Sequence, residues 1–287
     1  MSKPLRDLVA EELAQPVEPR VAAMAAAIAA KYGKAPRTVL FYGSCLRQKQ
    51  LDGLMLDFYL IVSSYRQAYG RSWLTAANRL VPPNVFYFEH DGLHAKYAVL
   101  SEADFYRLNG SETRNVSVWA RFAQPARLVW ANDDAAKRRA IDAVSRAIPT
   151  LLGAALPSAQ LSADPLDLWR QAFALTYSAE LRAERSGRSV SVVDADPDRY
   201  RRFTEAGLAA VTPHGGSWTR RRLEGKALSV VRLAKASATF AGGPDYIAWK
   251  INRHAGTDIV LKPWQKRFPL LAALSLLPRL LRSGAVR

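Results

Sequence analysis

The chain has a single cysteine, Cys45, so no disulfide can form within it, which suits a reducing compartment. With no histidine near it in sequence, Cys45 reads as a small buried filler and not as a thiol nucleophile. Histidine is scarce as well. His90, His94, His214 and His254 show no metal-ligand spacing, which argues against a zinc site. No stretch reaches the roughly 20 apolar residues that a membrane-crossing helix needs. Residues 1–20 contain four acidic residues and no apolar run, unlike a secretory signal or a mitochondrial presequence. Acid is the minority charge throughout: 25 Asp and Glu stand against 41 Lys and Arg, a net charge of +16, and no acid follows Asp258. Such a balance implies attraction to something polyanionic, whether nucleic acid, an anionic bilayer or a phosphorylated substrate.

What is present suffices for a folded core, since 49% of the 287 residues are apolar. The alanine-rich stretch from Val17 to Tyr32 has helical spacing and a stop at Gly33. "RTVLFYG" and "LMLDFYLIV" read as strands, the second hydrophobic enough to be buried on both faces. "NVFYFEHDGLHAKYAVL" reads as a hairpin turning at Asp91-Gly92, and "ARLVWAND" as a further strand. Beyond about Asp133 the pattern turns helical, in "DDAAKRRAIDAVSRAI", in "DPLDLWRQAFALTYSAELRAERSG" opened by Asp164-Pro165, and in "GGPDYIAWKINRHAG". The expectation is an α/β (α+β) chain: a mixed-sheet domain over residues 1–133, a mainly helical one over 134–262, and a tail over 263–287.

That tail, "KPWQKRFPLLAALSLLPRLLRSGAVR", is apolar in its middle and basic at both ends. It is too short to span a bilayer and is interrupted by Pro269 and Pro278. It suits an amphipathic helix lying in the headgroup region, with Lys266, Arg267, Arg279 and Arg282 towards anionic lipid. The alternative is a terminal helix packed on its own domain. The first reading makes the protein cytoplasmic and peripheral on the inner face of the cell membrane.

One residue breaks the second strand. In strand geometry Asp57, Tyr59 and Ile61 point one way and Leu56, Phe58 and Leu60 the other, and a buried carboxylate needs a proton, a cation or a metal. Gly43-Ser44 closes the preceding strand, where a turn exposes N–H groups and a hydroxyl that can cradle phosphate oxygens. A phosphate cradle beside a metal-binding strand carboxylate describes a nucleotidyl-transfer site. An Asp57 paired with an arginine beside an ordinary turn is the competing account.

The stretch resembles the nucleotidyltransferase (polymerase-β-like) pattern. The chain more closely resembles the mitochondrial-type phosphatidate cytidylyltransferase family, known for translocator assembly and maintenance. The matching pieces run in order from residue 39 to about 203: "FYGSCLRQ", "LMLDFYLIV", Trp73 and Asn78, "AKYAVL", "WARFAQPARLV", "LTYSAELR" and "DADPDRYRRF". Two departures stand out. The superfamily places carboxylates at i and i+2, but positions 55 and 59 are Met and Tyr, and Ala179 replaces a glycine in Tyr177-Ser178-Ala179-Glu180. The resemblance implies a nucleotidyltransferase-like fold and transfer of CMP from CTP to phosphatidate, with Mg2+ as cofactor and an anionic membrane surface as partner. Asp57 would hold the metal, with further ligands from among Asp52, Glu89, Asp91 and Glu180, of which Glu180 and Asp52 are preferred. Gly43, Ser44, Tyr177 and Ser178 would bind the nucleotide, and Lys96, Arg121 and Arg182 would supply fixed charge. No RNA-binding module is recognisable, so nucleic acid is not expected. A transferase acting on RNA, protein or another phospholipid, and an inactive membrane-bound scaffold, are the alternatives.

Overall fold

In the computed structural model the described residues are 3–47, 51, 53–160, 162–180, 192–211, 217–239 and 260–267. Their centre is a five-stranded mixed sheet in the order β3-β4-β2-β1-β5. The strands are β1 (Pro36–Tyr42), β2 (Met55–Val62), β3 (Asn84–His90), β4 (Leu93–Ser101) and β5 (Ala126–Ala131). β1 runs antiparallel to β2 and β5, β3 antiparallel to β4, and β2 parallel to β4. The hairpin turns where expected: Asp91 and Gly92 both have positive φ (51° and 70°), the backbone that a two-residue hairpin demands and that Asp-Gly tolerates.

The helices are α1 (Leu5–Leu13), α2 (Pro19–Ala30), α3 (Tyr65–Tyr69), α4 (Trp73–Leu80), α5 (Glu102–Asn109), α6 (Trp119–Phe122), α7 (Asp134–Ser145), α8 (Ala147–Ala155), α9 (Pro165–Ala179), α10 (Pro197–Ala209), α11 (Trp218–Thr239) and α12 (Pro263–Arg267). The start signal at Asp164-Pro165 holds, since the Asp164 side chain accepts from the Leu166 N–H and proline at the first helical position forgoes no hydrogen bond. The stretch after Asp133 forms two helices that break at Arg146. The 22-residue α11 has no counterpart in the sequence reading. Residues 242–256 and 268–287, where a short helix and the amphipathic tail are expected, lie outside the described residues. No helix among the described residues is long and apolar enough to cross a membrane.

The two faces of β2 meet different partners. Leu56, Phe58, Leu60 and Val62 pack with Val39, Phe41 and the α2 residues Met24, Ala25 and Ile28. Tyr59 and Ile61 join Leu40, Ala98 and Leu100 in a second core, which continues through Phe105 and Phe122 to Trp169, Phe173, Tyr200 and Phe203. Each such side chain, fully buried, contributes about 1.5–3 kcal/mol, so the helices of the second half hold their places by covering the sheet. A buried ion pair fastens the first helix to this assembly: Arg199 Nε and Nη2 donate to the two oxygens of Glu12 at 2.5 and 2.9 Å, and Arg199 Nη1 donates to the Ala123 carbonyl at 3.0 Å.

Candidate active site

Asp57 lies on the face of β2 that carries Tyr59 and Ile61, nearer the strand's beginning, where the sheet opens to solvent. Its register neighbours are Tyr42 on β1 and Lys96 on β4. The Lys96 ammonium sits 3.0 Å from Asp57 Oδ1, yet off the direction a hydrogen bond requires, so that buried oxygen makes no directed bond. The Asp57 side chain is 17% exposed and that of Lys96 47%. The partner of the strand carboxylate is thus a lysine supplied by the parallel strand, not an arginine. A half-exposed lysine can swing away at little cost, because its stem remains packed while its head is in water.

The turn after β1 is fitted to this carboxylate. Gly43 has φ +93°, and a Cβ placed on it would lie 2.9 Å from Asp57 Oδ2. Only glycine allows both the backbone geometry and the approach. Ser44 then opens a single helical turn, Ser44–Arg47. Cys45 is buried there against the Met55 carbonyl, as its expected role as filler implies.

A second charged group lies across the aromatic floor of the site. Arg121 Nη1 donates to Glu180 Oε1 at 3.1 Å and to Ser117 Oγ at 2.9 Å. Glu180 caps the C-terminus of α9, where the helix dipole is unfavourable to a carboxylate, so the guanidinium stabilises it. Burial alone would lower the Arg121 pKa, but Glu180, Tyr59 and Tyr42 outweigh it and hold the group well above the ordinary arginine value. The Tyr42 and Tyr59 rings are 5.2 Å apart. Burial, with Asp57 adding to it, raises the Tyr42 phenol well above its usual value, against the opposing pull of Arg121. Tyr59 is also raised, by burial above all; Arg121 and Arg232 act against this, Glu180 and Asp57 with it. Asp57 and Arg121 therefore act on the same two phenols.

Sequence reasoning missed Tyr42, Tyr59 and the cations of α11. Arg232 donates twice to the Pro82 carbonyl, at 2.9 and 2.7 Å. Lys235 donates to the Pro83 carbonyl at 2.8 Å, and burial, with Arg232 adding to it, brings its pKa down to about 8. The available signal was a pair of basic residues three apart in a helix whose interior holds Gly225. A Cβ on Gly225 would overlap the Ala179 carbonyl oxygen, so this glycine lets α11 seat against the end of α9. Gly225→Ala is expected to lower stability by about 1–3 kcal/mol through overpacking, measured by thermal unfolding. A gain instead, as helix-interior Gly→Ala ordinarily brings, would disprove the close seating.

The remaining expected residues are placed as follows. Ser178 Oγ accepts from Arg222 at 3.0 Å and donates to the Leu175 carbonyl, while Tyr177 packs, half-buried, against the larger core. Glu89 accepts from Tyr87, and Asp91 lies in the hairpin turn. Asn78, buried, ties α4 to the sheet through the Val99 carbonyl and the Asn84 N–H. Asp52 and Arg182 lie outside the described residues. Among the described residues no three His, Cys, Asp or Glu side chains gather as a metal cage. Magnesium does not require one, since it is commonly held by one or two carboxylates together with substrate phosphates and water. The undirected Asp57 oxygen suits one such ligand.

No family model matches this chain, and no curated protein does. Among solved structures it is similar to a nucleotidyltransferase-like protein from Exiguobacterium sibiricum, at 12% identity over 92% of each chain with a TM-score of 0.29. So slight a likeness carries no argument. The candidate site stands on its own geometry.

Proposed function

We propose that the chain is a magnesium-dependent nucleotidyltransferase that moves CMP from CTP to phosphatidate, giving CDP-diacylglycerol and pyrophosphate at an anionic membrane surface. The observation that carries this reading is Asp57, pressed against the Gly43 turn with one buried oxygen free of any directed hydrogen bond. The choice of CTP and phosphatidate rests on the family resemblance of the sequence.

The chemistry suits the residues. The attacking group is a phosphate oxygen of the lipid, a monoester whose second pKa is about 6, so it is ionised at neutral pH and needs no base. It attacks the α-phosphorus of CTP, and the bond to the bridging β-phosphate oxygen breaks. What remains difficult is bringing two polyanions together. Magnesium, with Asp57 as a ligand, would supply neutralising charge to the triphosphate. Lys96 is placed to exchange its contact with Asp57 for a phosphate oxygen. Gly43 and Ser44 offer a turn for the leaving pyrophosphate, and Arg121 holds fixed positive charge across the two tyrosines. In this reading Glu180 serves first as the counter-charge of Arg121. Asp52, Arg182, Tyr177 and Ser178 complete the proposed metal and nucleotide contacts, and residues 264–287 are proposed to dock on lipid.

The test is purified protein with magnesium, phosphatidate vesicles and each ribonucleoside triphosphate in turn, read by pyrophosphate release and lipid product mass. CTP alone should give a product of CDP-diacylglycerol mass, and no product with any nucleotide would refute the proposal. One observation favours a second reading, an inactive membrane-bound scaffold: Asp57 is already engaged by Lys96. Calorimetry separates the two, since the scaffold should show no magnesium-dependent CTP binding.

A further inference from the structure

Many arginines in this protein find acids, and others find carbonyls or rings. Arg37, Arg107, Arg139, Arg146 and Arg170 all pair with carboxylates. Arg66, Arg71 and Arg79, all exposed, line one cleft of ≈ 250 Å³ with Gly70, Ser72 and Thr75, and none has a carboxylate partner among the described residues. Three positive charges without counter-charge around a concavity repel one another unless an anion is present.

The local backbone points the same way. Ser72 occupies the N-cap position of α4 but makes no cap hydrogen bond, and its Oγ is buried without any partner. A buried hydroxyl left unsatisfied costs about 1–3 kcal/mol, and here it stands at a helix start whose N–H groups and dipole favour an anion. The loop is held in this shape, since Thr75 Oγ1 donates to the carbonyls of Gly70 and Tyr65 at 2.8 and 3.2 Å. We propose that this cleft binds a phosphate monoester dianion, gripped by Arg66, Arg71 and Arg79 with the first N–H groups of α4. The volume falls below the roughly 300–1,000 Å³ of pockets for drug-sized ligands, so it suits one phosphate headgroup and not a whole nucleotide. The cleft is distinct from the Asp57 site, because β2 runs on from Asp57 to Val62, about 17 Å at ~3.3 Å per residue, before the chain enters α3. The phosphate has two possible sources, a soluble metabolite or a lipid headgroup. Trp73 and Leu80, 54% and 81% exposed on the same helix, set apolar surface nearby.

The experiment uses the full chain. One arm titrates glycerol 3-phosphate by calorimetry; the other measures co-sedimentation with phosphatidylcholine vesicles that contain or lack phosphatidate. Wild-type protein should bind at least one probe, and replacing Arg66, Arg71 and Arg79 together by alanine should weaken that binding at least about tenfold. Replacing all three by lysine should restore it only in part, because lysine lacks the planar fork that matches phosphate. Binding of glycerol 3-phosphate assigns the soluble source, and phosphatidate-dependent vesicle binding that is lost in the arginine variants, with no binding of glycerol 3-phosphate, assigns the lipid. Asp57→Asn should leave this binding unchanged, which separates it from the nucleotide site. Should the alanine triple fold poorly, Arg71→Ala and Arg79→Ala are read singly instead, in the same direction. Equal binding by wild type and the alanine variants, full binding by the lysine triple, no binding to either probe, or loss of binding in Asp57→Asn would each overturn the proposal.

Discussion

Asp57→Asn should reduce nucleotidyl transfer by about a thousandfold or more while leaving the melting temperature within error of wild type. The amide keeps the volume that fits against Gly43, so the turn and the sheet are undisturbed. Lys96 loses its counter-charge, but a side chain 47% exposed returns to water, and such a change at the surface is usually worth no more than about 0.5 kcal/mol. What disappears is the carboxylate proposed to hold magnesium. Loss of several kcal/mol of transition-state charge stabilisation corresponds to a thousandfold or more in rate, at 1.36 kcal/mol per decade. Lys96→Gln provides the contrast, since it uncovers the carboxylate and should mainly raise the KM for triphosphate. If Asp57→Asn turns over at the wild-type rate, the carboxylate has no part in the reaction.

The largest effect on stability is expected at Arg199. Its side chain is 3% exposed and that of Glu12 7%, with the guanidinium forked onto the carboxylate and its last nitrogen on a backbone carbonyl. Removing one partner leaves the other charged and buried, so Arg199→Ala should cost about 3–5 kcal/mol, a large share of the about 5–15 kcal/mol that holds a domain folded. Denaturant titration would show this as a lower midpoint at unchanged slope. The double variant Glu12→Leu, Arg199→Met should recover most of the loss, because apolar side chains of similar volume carry no desolvation cost. If Arg199→Ala is nearly neutral, the pair is not buried in solution. Activity should fall with stability in the single variant, since the Ala123 carbonyl that Arg199 holds follows the short helix carrying Arg121.

Much of this architecture was legible in the residues themselves. The apolar runs of β1 and β2, the Asp-Gly turn and the Asp-Pro helix start are local signals, and local backbone preferences decided them. The pressing of Gly43 against Asp57 follows almost directly from the turn at the end of one strand and the carboxylate in the next. The family resemblance implies fixed charge at Lys96. That it meets Asp57 depends on the parallel pairing of β2 with β4, a long-range fact with no local trace. α11 escaped notice because its buried face is built from small and charged residues such as Gly225, Arg221 and Arg232, so hydrophobic periodicity is weak there. The pairing of Arg121 with Glu180 joins segments nearly sixty positions apart and could not be read from either.

The face of the sheet that carries Asp57 is dry beyond Tyr59 and wet before it. Folding strength and chemistry therefore occupy successive stretches of the same ribbon. If the proposed function holds, substitutions at the open end, at Lys96 or at the Tyr87 and Glu89 positions beside it, should change the response to anionic substrate without risking collapse, whereas a change two residues further along strikes the core. A laboratory seeking altered substrate choice should randomise the open end and leave the sealed one intact.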